Sequence, residues 1–151
     1  MTATDPAAPS DREPSNDPTG VVRAFLAALE ALDVDAALAL AAPDIVYQNV
    51  PLPPARGIEQ FGEQMRLLER WCTAFEVQLH SIAAHGGTVL TERTDVLERG
   101  TLRVAFWVCG TFEVEDGRVT LWRDRFDWAT VIGAVLAAFP RAALRRLASR
   151  T

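Results

Sequence analysis

The sequence predicts an α+β fold, in which helices pack on the concave side of a strongly curved, mixed but mostly antiparallel sheet. Apolar residues recur at helical spacing in most of the first half, whereas from Phe75 to Trp128 they mostly alternate with polar residues, as in strands. Glycine turns at Gly86-Gly87 and Asp116-Gly117 separate these alternating segments. A length of 151 residues suits one domain with one core.

The N-terminal segment is predicted to be a disordered tail that ends at residue 17. It is rich in Pro, Ser, Ala and Asp and has no large apolar side chain after Met1. Such a segment cannot offset its ordering entropy by burial. Residues 18–151 are then predicted to form the single domain.

Three helices are predicted before residue 75, where the run of alternating segments begins. The first begins at Asp17-Pro18, a capping carboxylate followed by a proline at the first helical position. The second is short, is capped within Asp33 to Asp35, and ends before Pro43. The third runs from about residue 57 to residue 70, where apolar residues again recur at helical spacing.

Five segments are predicted as strands, at residues 45–50, 75–79, 89–97, 101–114 and 119–128. Pro51 to Ala55 holds three prolines and is predicted to be a rigid loop, because proline cannot donate to a strand ladder. A helix is expected from Ala129 to about Ser149, kinked or split at Pro140.

Composition argues against several classes of partner. The net charge is −5 and the chain has no lysine, which disfavours nucleic acid or an anionic membrane as a partner. The longest apolar run, Ala134 to Phe139, is too short to span a bilayer. No signal peptide is apparent, and Cys72 and Cys109 suit two reduced, buried thiols rather than a disulfide framework or a metal site. We therefore expect a cytoplasmic protein.

The strand at 89–97 carries Arg93 and Asp95 on one face, and whether that face is buried depends on the register of the two hairpins. The hairpin at Arg99-Gly100 is predicted to set Asp95 beside Val104 and Arg93 beside Phe106.

For the next hairpin, a two-residue turn would set Asp124 level with Cys109, and a three-residue loop would set it level with Val108. We predict the three-residue loop, Glu115 to Gly117, because it joins the apolar faces of the two strands. One face then holds seven residues, which are Arg93, Asp95, Phe106, Val108, Trp122, Asp124 and Phe126.

Three charged side chains on a buried apolar face must pair with one another, because an unpaired buried charge costs several kcal/mol. Arg93 can bind one carboxylate on each side, Asp95 and Asp124. Desolvation and repulsion should raise the pKa of one of them, which leaves an acid beside an ionised base, as in acid–base enzymes. The same triad could instead be a buried network that only fixes strand register.

Other polar residues give weaker signals. Tyr47 and Asn49 share a strand face, which by itself suits the exposed end of a strand. His80 and His85 lie near a strand end and a glycine turn, and we expect both on the surface.

Three triplets in order, Tyr47-Gln48-Asn49, Arg93-Thr94-Asp95 and Trp122-Arg123-Asp124, resemble the limonene epoxide hydrolase family. Pro51 to Ala55 and Phe126-Asp127 match the family as well. The resemblance covers roughly residues 17–128. It implies the cone-shaped fold of nuclear transport factor two, with helices closing a deep apolar pocket, and usually a homodimer.

The resemblance also implies a role for each motif. Asp124 would be the general base for a water molecule held by Tyr47 and Asn49. Asp95 would be the general acid that protonates the epoxide oxygen, and Arg93 would bridge the two aspartates. Water would open the ring in one step to a vicinal diol, with no covalent intermediate, no metal and no other cofactor.

The implied substrate is a small apolar epoxide, which could be terpenoid, steroid or fatty. Its pocket is expected to be lined by Leu97, Phe106, Val108, Trp122 and Phe126. Arg125 stands where the family often has an aromatic, but alternation directs it away from this face. The C-terminal helix is longer and more apolar than in the limonene enzyme, so it could close a larger pocket or form a dimer face.

Two other functions remain open. The fold also hosts isomerases and dehydratases, although an arginine between two aspartates argues against a ketosteroid-isomerase-like site. A non-catalytic carrier of apolar ligands would use the pocket without the charges.

Overall fold

The computed structural model describes residues 17–137. Residues 1–16 of the predicted tail, and the predicted helix beyond residue 137 with its predicted kink at Pro140, lie outside the described residues. Three helices are α1 (Pro18–Glu30), α2 (Val34–Ala39) and α3 (Ile58–Trp71). Six strands are β1 (Ala41–Asn49), β2 (Ala55–Arg56), β3 (Ala74–His85), β4 (Thr88–Arg99), β5 (Leu102–Glu115) and β6 (Arg118–Phe126). Residues 128–137 are helical.

The strands form one open sheet in the order β2-β1-β6-β5-β4-β3. Every neighbouring pair is antiparallel except β1 and β6, which run parallel. The predicted α+β class with a mixed, mostly antiparallel sheet is therefore confirmed. Within residues 17–137, no helix is long and apolar enough to cross a membrane.

The helices begin where the sequence predicts, but only one of the two predicted caps forms. The Asp33 carboxylate accepts the backbone N–H of Ala36 at 3.0 Å, as an N-cap should. The Asp17 side chain makes no cap hydrogen bond, and one of its oxygens instead accepts from the Thr19 hydroxyl at 2.6 Å. Pro18 still stands at the start of α1, where its missing N–H costs nothing.

The core forms where α1 and α3 cover one face of the sheet. Phe25 of α1 and Phe61 of α3 stack with ring centroids 6.0 Å apart, and both are fully buried. Trp122 of β6 meets Phe25 edge-on at 5.4 Å and stacks on Phe112 of β5 at 6.0 Å. This aromatic cluster fixes the inner face of the sheet, the face that also carries the buried charges.

The predicted register between β4 and β5 is wrong by two residues. Arg93 pairs with Val108 rather than Phe106, and Asp95 pairs with Phe106 rather than Val104. The reason is a tight two-residue turn, in which Arg99 already pairs with Leu102 and Gly100 adopts a φ of 59°. A shift of two residues keeps every side chain on its predicted face.

The predicted three-residue loop between β5 and β6 is also wrong. The turn has two residues, Asp116 and Gly117, with φ values of 50° and 73°, as a type I′ hairpin turn requires. A β-bulge then follows on β6 at Thr120, where the register shifts by one residue. The bulge returns Asp124 to the inner face, where it pairs with Gly110 rather than with Val108.

The first strand is longer than predicted and has an unpredicted neighbour. It begins at Ala41 rather than residue 45, and its side chain Tyr47 lies level with Ala55 of β2, which was predicted to be loop. On its other side, β1 runs beside β6, so that Tyr47 lies level with Trp122 and Asn49 level with Asp124. This parallel pairing brings the first motif to the site.

Candidate active site

Arg93 is the centre of the site and is completely buried, with 0% of its surface exposed. Its Nε donates to Oδ1 of Asp95 at 2.8 Å and its Nη2 donates to Oδ2 of the same carboxylate at 3.1 Å. Its Nη1 donates to Oγ1 of Thr91 at 3.2 Å. The two residues lie two positions to either side of Arg93 on β4, where alternation puts all three side chains on one face.

Asp124 completes the predicted triad from the other side of β5. Nη2 of Arg93 donates to Oδ2 of Asp124 at 2.5 Å, while the indole Nε1 of Trp122 donates to Oδ1 at 2.7 Å. Asp95 and Asp124 are 5% and 4% exposed. The network is therefore buried with every oxygen of both carboxylates paired to a donor, which meets the condition for keeping charge inside a protein.

Tyr47 and Asn49 lie beside Asp124 because of the parallel pairing of β1 and β6. The Asn49 side-chain amide donates from Nδ2 to the Tyr47 hydroxyl at 2.8 Å. The Tyr47 ring packs against Trp122 with centroids 4.5 Å apart. The structure thus places Tyr47 in a buried setting, and the surface interpretation that fits this strand alone does not hold for it.

Burial raises the pKa of both aspartates above the ordinary carboxyl value. For Asp95, desolvation is the largest cause, Arg93 opposes it, and the charge of Asp124 adds to the rise. For Asp124, desolvation is again the largest cause, while Arg93 and the Trp122 N–H oppose it. The Trp122 N–H is an extra donor that Asp95 lacks, and it stabilises the charged form of Asp124. Repulsion between the two carboxylates opposes the ionisation of both at once, so the site favours one charged and one protonated aspartate.

The other two titratable groups of the site keep their ordinary protonation. Burial disfavours the charge of Arg93, but the two carboxylates outweigh it and hold the pKa of Arg93 above its usual range. Burial, together with the charge of Asp124, raises the pKa of Tyr47 well above its ordinary value. Arg93 is a permanent cation, and Tyr47 keeps its hydroxyl proton.

The five predicted pocket-lining residues differ in burial. Val108 and Trp122 are buried, and Trp122 is also part of the aromatic core. Leu97, Phe106 and Phe126 are half-buried, and the last two rings lie 5.1 Å apart. The less buried part of the inner face therefore lies toward Phe106 and Phe126, beside Asp95, which is level with Phe106.

Sequence reasoning missed three contributors to the site. Alternation along β4 puts Thr91 on the same face as Arg93, but a threonine at that position does not by itself indicate a functional site. The indole N–H of Trp122 went unused because the residue was taken only as pocket lining. Gly110 lies opposite Asp124, and a glycine inside a strand was a signal that another group approaches closely.

The predicted surface position of His80 and His85 is confirmed, because both are exposed. Cys72 and Cys109 are free thiols; Cys72 is buried, as predicted, whereas Cys109 is only half-buried. Among residues 17–137, no group of three or more His, Cys, Asp or Glu side chains is placed to hold a metal ion.

Known proteins resemble the chain in both sequence and structure. The family model of the limonene-1,2-epoxide hydrolase catalytic domain matches residues 16–137. Epoxide hydrolase EphG of Mycobacterium tuberculosis is 51% identical over 106 residues, which are 70% of each chain. The solved structure of an M. tuberculosis LEH-like epoxide hydrolase is 44% identical with a TM-score of 0.73, over 83% of this chain and 93% of that one. An NTF2-like protein from Cytophaga hutchinsonii is 17% identical with a TM-score of 0.65, over 77% of this chain and 95% of that one.

These likenesses place the fold among the cone-shaped, nuclear-transport-factor-two-like folds, which confirms the predicted fold class. The chain belongs to the limonene epoxide hydrolase family and is an epoxide hydrolase. The resemblance seen in the three triplets is confirmed, and an isomerase, a dehydratase or a ligand carrier is not needed to account for the site.

Proposed function

We propose that this enzyme hydrolyses an apolar epoxide to a vicinal diol by one-step attack of water, with acid and base assistance. The observation that carries the proposal is the buried network in which Arg93 holds Asp95 and Asp124 at once. In such a step a general acid protonates the poor alkoxide leaving group while a general base activates water, which is a weak nucleophile. The supporting residues are Tyr47 and Asn49 on the neighbouring strand β1, where Asn49 is level with Asp124 and donates to the Tyr47 hydroxyl.

The water would sit between Tyr47, Asn49 and Asp124. Nδ2 of Asn49 is occupied by the Tyr47 hydroxyl oxygen, so Oδ1 of Asn49 is available as an acceptor. Tyr47 keeps its proton and can donate it in a hydrogen bond to the water oxygen. The water then directs one hydrogen to Asn49 and the other to Asp124, and its remaining lone pair faces the substrate.

Asp124 is the base and Asp95 the acid in this proposal, because their surroundings differ. The Trp122 N–H favours the charged form of Asp124, and the charge of Asp124 favours the protonated form of Asp95. As the water oxygen bonds to a ring carbon, the carbon–oxygen bond of the epoxide breaks. Asp95 gives its proton to the epoxide oxygen, and Asp124 takes a proton from the water. A proton passes back from Asp124 to Asp95 before the next turnover.

An apolar substrate fits the surroundings of the acid. Phe106 lies level with Asp95 and packs against Phe126, and both rings are half-buried. Aromatic and aliphatic walls around a few polar groups are typical of small-molecule pockets. With Leu97, Val108 and Trp122, these residues are proposed to line the epoxide's pocket.

We also propose that the enzyme acts as a homodimer and needs no metal or organic cofactor, as the family resemblance implies. The free thiols and the acidic, lysine-free composition support a cytoplasmic enzyme that binds neither nucleic acid nor an anionic membrane surface.

The test is loss of diol formation in Asp124→Asn and Asp95→Asn, assayed against terpenoid, steroid and fatty epoxides. We expect each variant to lose about 100-fold or more in kcat, because removal of a positioned acid or base costs at least this much. Asp44→Asn is the matched control, since Asp44 is exposed on β1. Near wild-type diol formation by both site variants would overturn the proposal.

A further inference from the structure

Gly110 is a buried glycine inside β5, the strand between those that carry the charged network. Pairing sets it level with Thr91 of β4 on one side and with Asp124 of β6 on the other. Its backbone does not adopt a positive φ, so its conformation does not require glycine. A glycine within a strand weakens it and forgoes side-chain packing, so something else must account for this residue.

The missing side chain leaves the space through which the Arg93 guanidinium reaches Asp124. A Cβ atom at Gly110 would lie 2.6 Å from Oγ1 of Thr91, 3.0 Å from Oδ1 of Asp124, and closer still to Nη1 of Arg93. Arg93 cannot retreat toward solvent, because it is fully buried and Asp95 holds it through two hydrogen bonds.

The gap is local to this one position. The flanking side chains on the same face of β5, Val108 and Phe112, are large and fully buried. Interiors are closely packed, so space left open between two such residues must be filled by another group. Here the group is the planar guanidinium of Arg93.

We infer that Gly110 is a positioning residue, which admits the Arg93 guanidinium between β4 and β6 and so holds Asp124 in its charged, catalytic form. The inference rests on the proposed function, in which ionised Asp124 is the base. Any side chain at position 110 would separate Arg93 from Asp124. The hydrogen bonds from Arg93 to Asp95, which lies on the same strand β4, would remain possible.

The test is Gly110→Ala, measured as kcat, KM and the pH profile of kcat/KM on an epoxide that the wild type hydrolyses. We expect kcat to fall about 100-fold, as for a misplacement of the order of 1 Å at a reacting group, with KM little changed. Arg93 lowers the pKa of Asp124, so its displacement raises that pKa. The acid limb of the profile should therefore move to higher pH.

Gly62→Ala is the matched control, because a Cβ there would make only ordinary contacts, 3.5 Å from the nearest Leu38 methyl. Its activity and pH profile should equal those of the wild type. A second comparison places Gly110→Ala in an Arg93→Lys background. The lysine has no planar guanidinium group, so it does not need the space left by the missing side chain at position 110. There we expect the alanine to lower kcat less than about threefold, which is the signature of coupling between the two positions.

A wild-type kcat and pH profile in folded Gly110→Ala, or an equal loss in both backgrounds, would overturn the inference. If Gly110→Ala fails to fold, recovery of folded protein in the Arg93→Lys background supports it, and continued unfolding contradicts it. The proposed function is tested separately. If Asp124→Asn keeps its activity the mechanism is wrong, whereas if Asp124→Asn is inactive and Gly110→Ala is normal only this inference fails.

Discussion

At the scale of single residues, the Trp122 indole N–H is expected to tune the base. Trp122→Phe keeps an aromatic ring in the core but removes the donor to Oδ1 of Asp124. The pKa of Asp124 should rise, because that hydrogen bond lowers it. We expect roughly tenfold lower kcat/KM on the acid limb, in line with the loss of one hydrogen bond to a charged group, and a smaller loss at higher pH.

Trp107→Phe is the matched control for that variant. Its indole N–H donates to Glu92, and the side chain is 53% exposed. The pH profile of this control should not move. An equal shift in both variants would assign the effect to general loosening of the sheet.

Arg93 should matter to stability as well as to activity, with a defined dependence on pH. Arg93→Met leaves Asp95 and Asp124 buried without their counter-ion, and removing one partner of a buried ion pair costs about 3–5 kcal/mol. The pKa values of both aspartates, already raised by burial, would rise further in the folded variant. A carboxyl whose folded pKa exceeds its unfolded value loses stability as pH rises through that range.

The free energy of unfolding of Arg93→Met, from urea titration, should therefore fall further below wild type at about pH 7 than at about pH 5. Arg66→Met provides the comparison, because the Arg66–Asp35 pair is exposed. Its free energy of unfolding should be nearly unchanged at both pH values. A pH-independent loss in Arg93→Met would show that packing rather than charge causes the destabilisation.

At the scale of elements, the two-residue turn between β5 and β6 places a specific demand on Gly117. Its φ of 73° strains any L side chain, so Gly117→Ala should lower the free energy of unfolding by about 1–2 kcal/mol. Gly62→Ala, inside α3, should instead raise it by about 0.5–1 kcal/mol, because alanine favours helix. Denaturant titration of the two variants tests this difference in sign.

The faces of the strands could be predicted from the sequence, but their registers could not. Alternation alone put Arg93, Asp95 and Asp124 on one face. Both predicted hairpin registers were wrong by two residues at these positions, and a shift of two residues leaves each side chain on the same face of the sheet. The residues of the turn, Asp116-Gly117, suit either a two-residue or a three-residue loop, so the sequence does not decide between the two lengths. The bulge at Thr120 is needed only with the shorter loop, and nothing in the local sequence indicates it.

At the scale of the whole molecule, the parallel pairing of β1 with β6 could not be derived from local patterns. The two strands lie far apart in the sequence, and no turn or alternation specifies that they meet. The place of Tyr47 and Asn49 beside Asp124 therefore rested on the family resemblance. The physical reason for that place is the parallel pairing itself, which sets Asn49 level with Asp124.

The proposed homodimer is a separate prediction at this scale. Sedimentation equilibrium of the purified full chain should give twice the mass of one chain across the concentrations used for assay. A single-chain mass at those concentrations, with full activity, would show that one chain suffices for the reaction.

The most direct test of the mechanism is a single turnover in heavy-oxygen water, with enzyme in excess over epoxide. If Asp124 acts as a base on water, the first diol formed carries the heavy oxygen and the protein carries none. If an aspartate instead attacks the ring, the first diol is unlabelled and the label appears in the carboxylate of Asp124 or Asp95. That second result would contradict the central claim that water opens the epoxide directly.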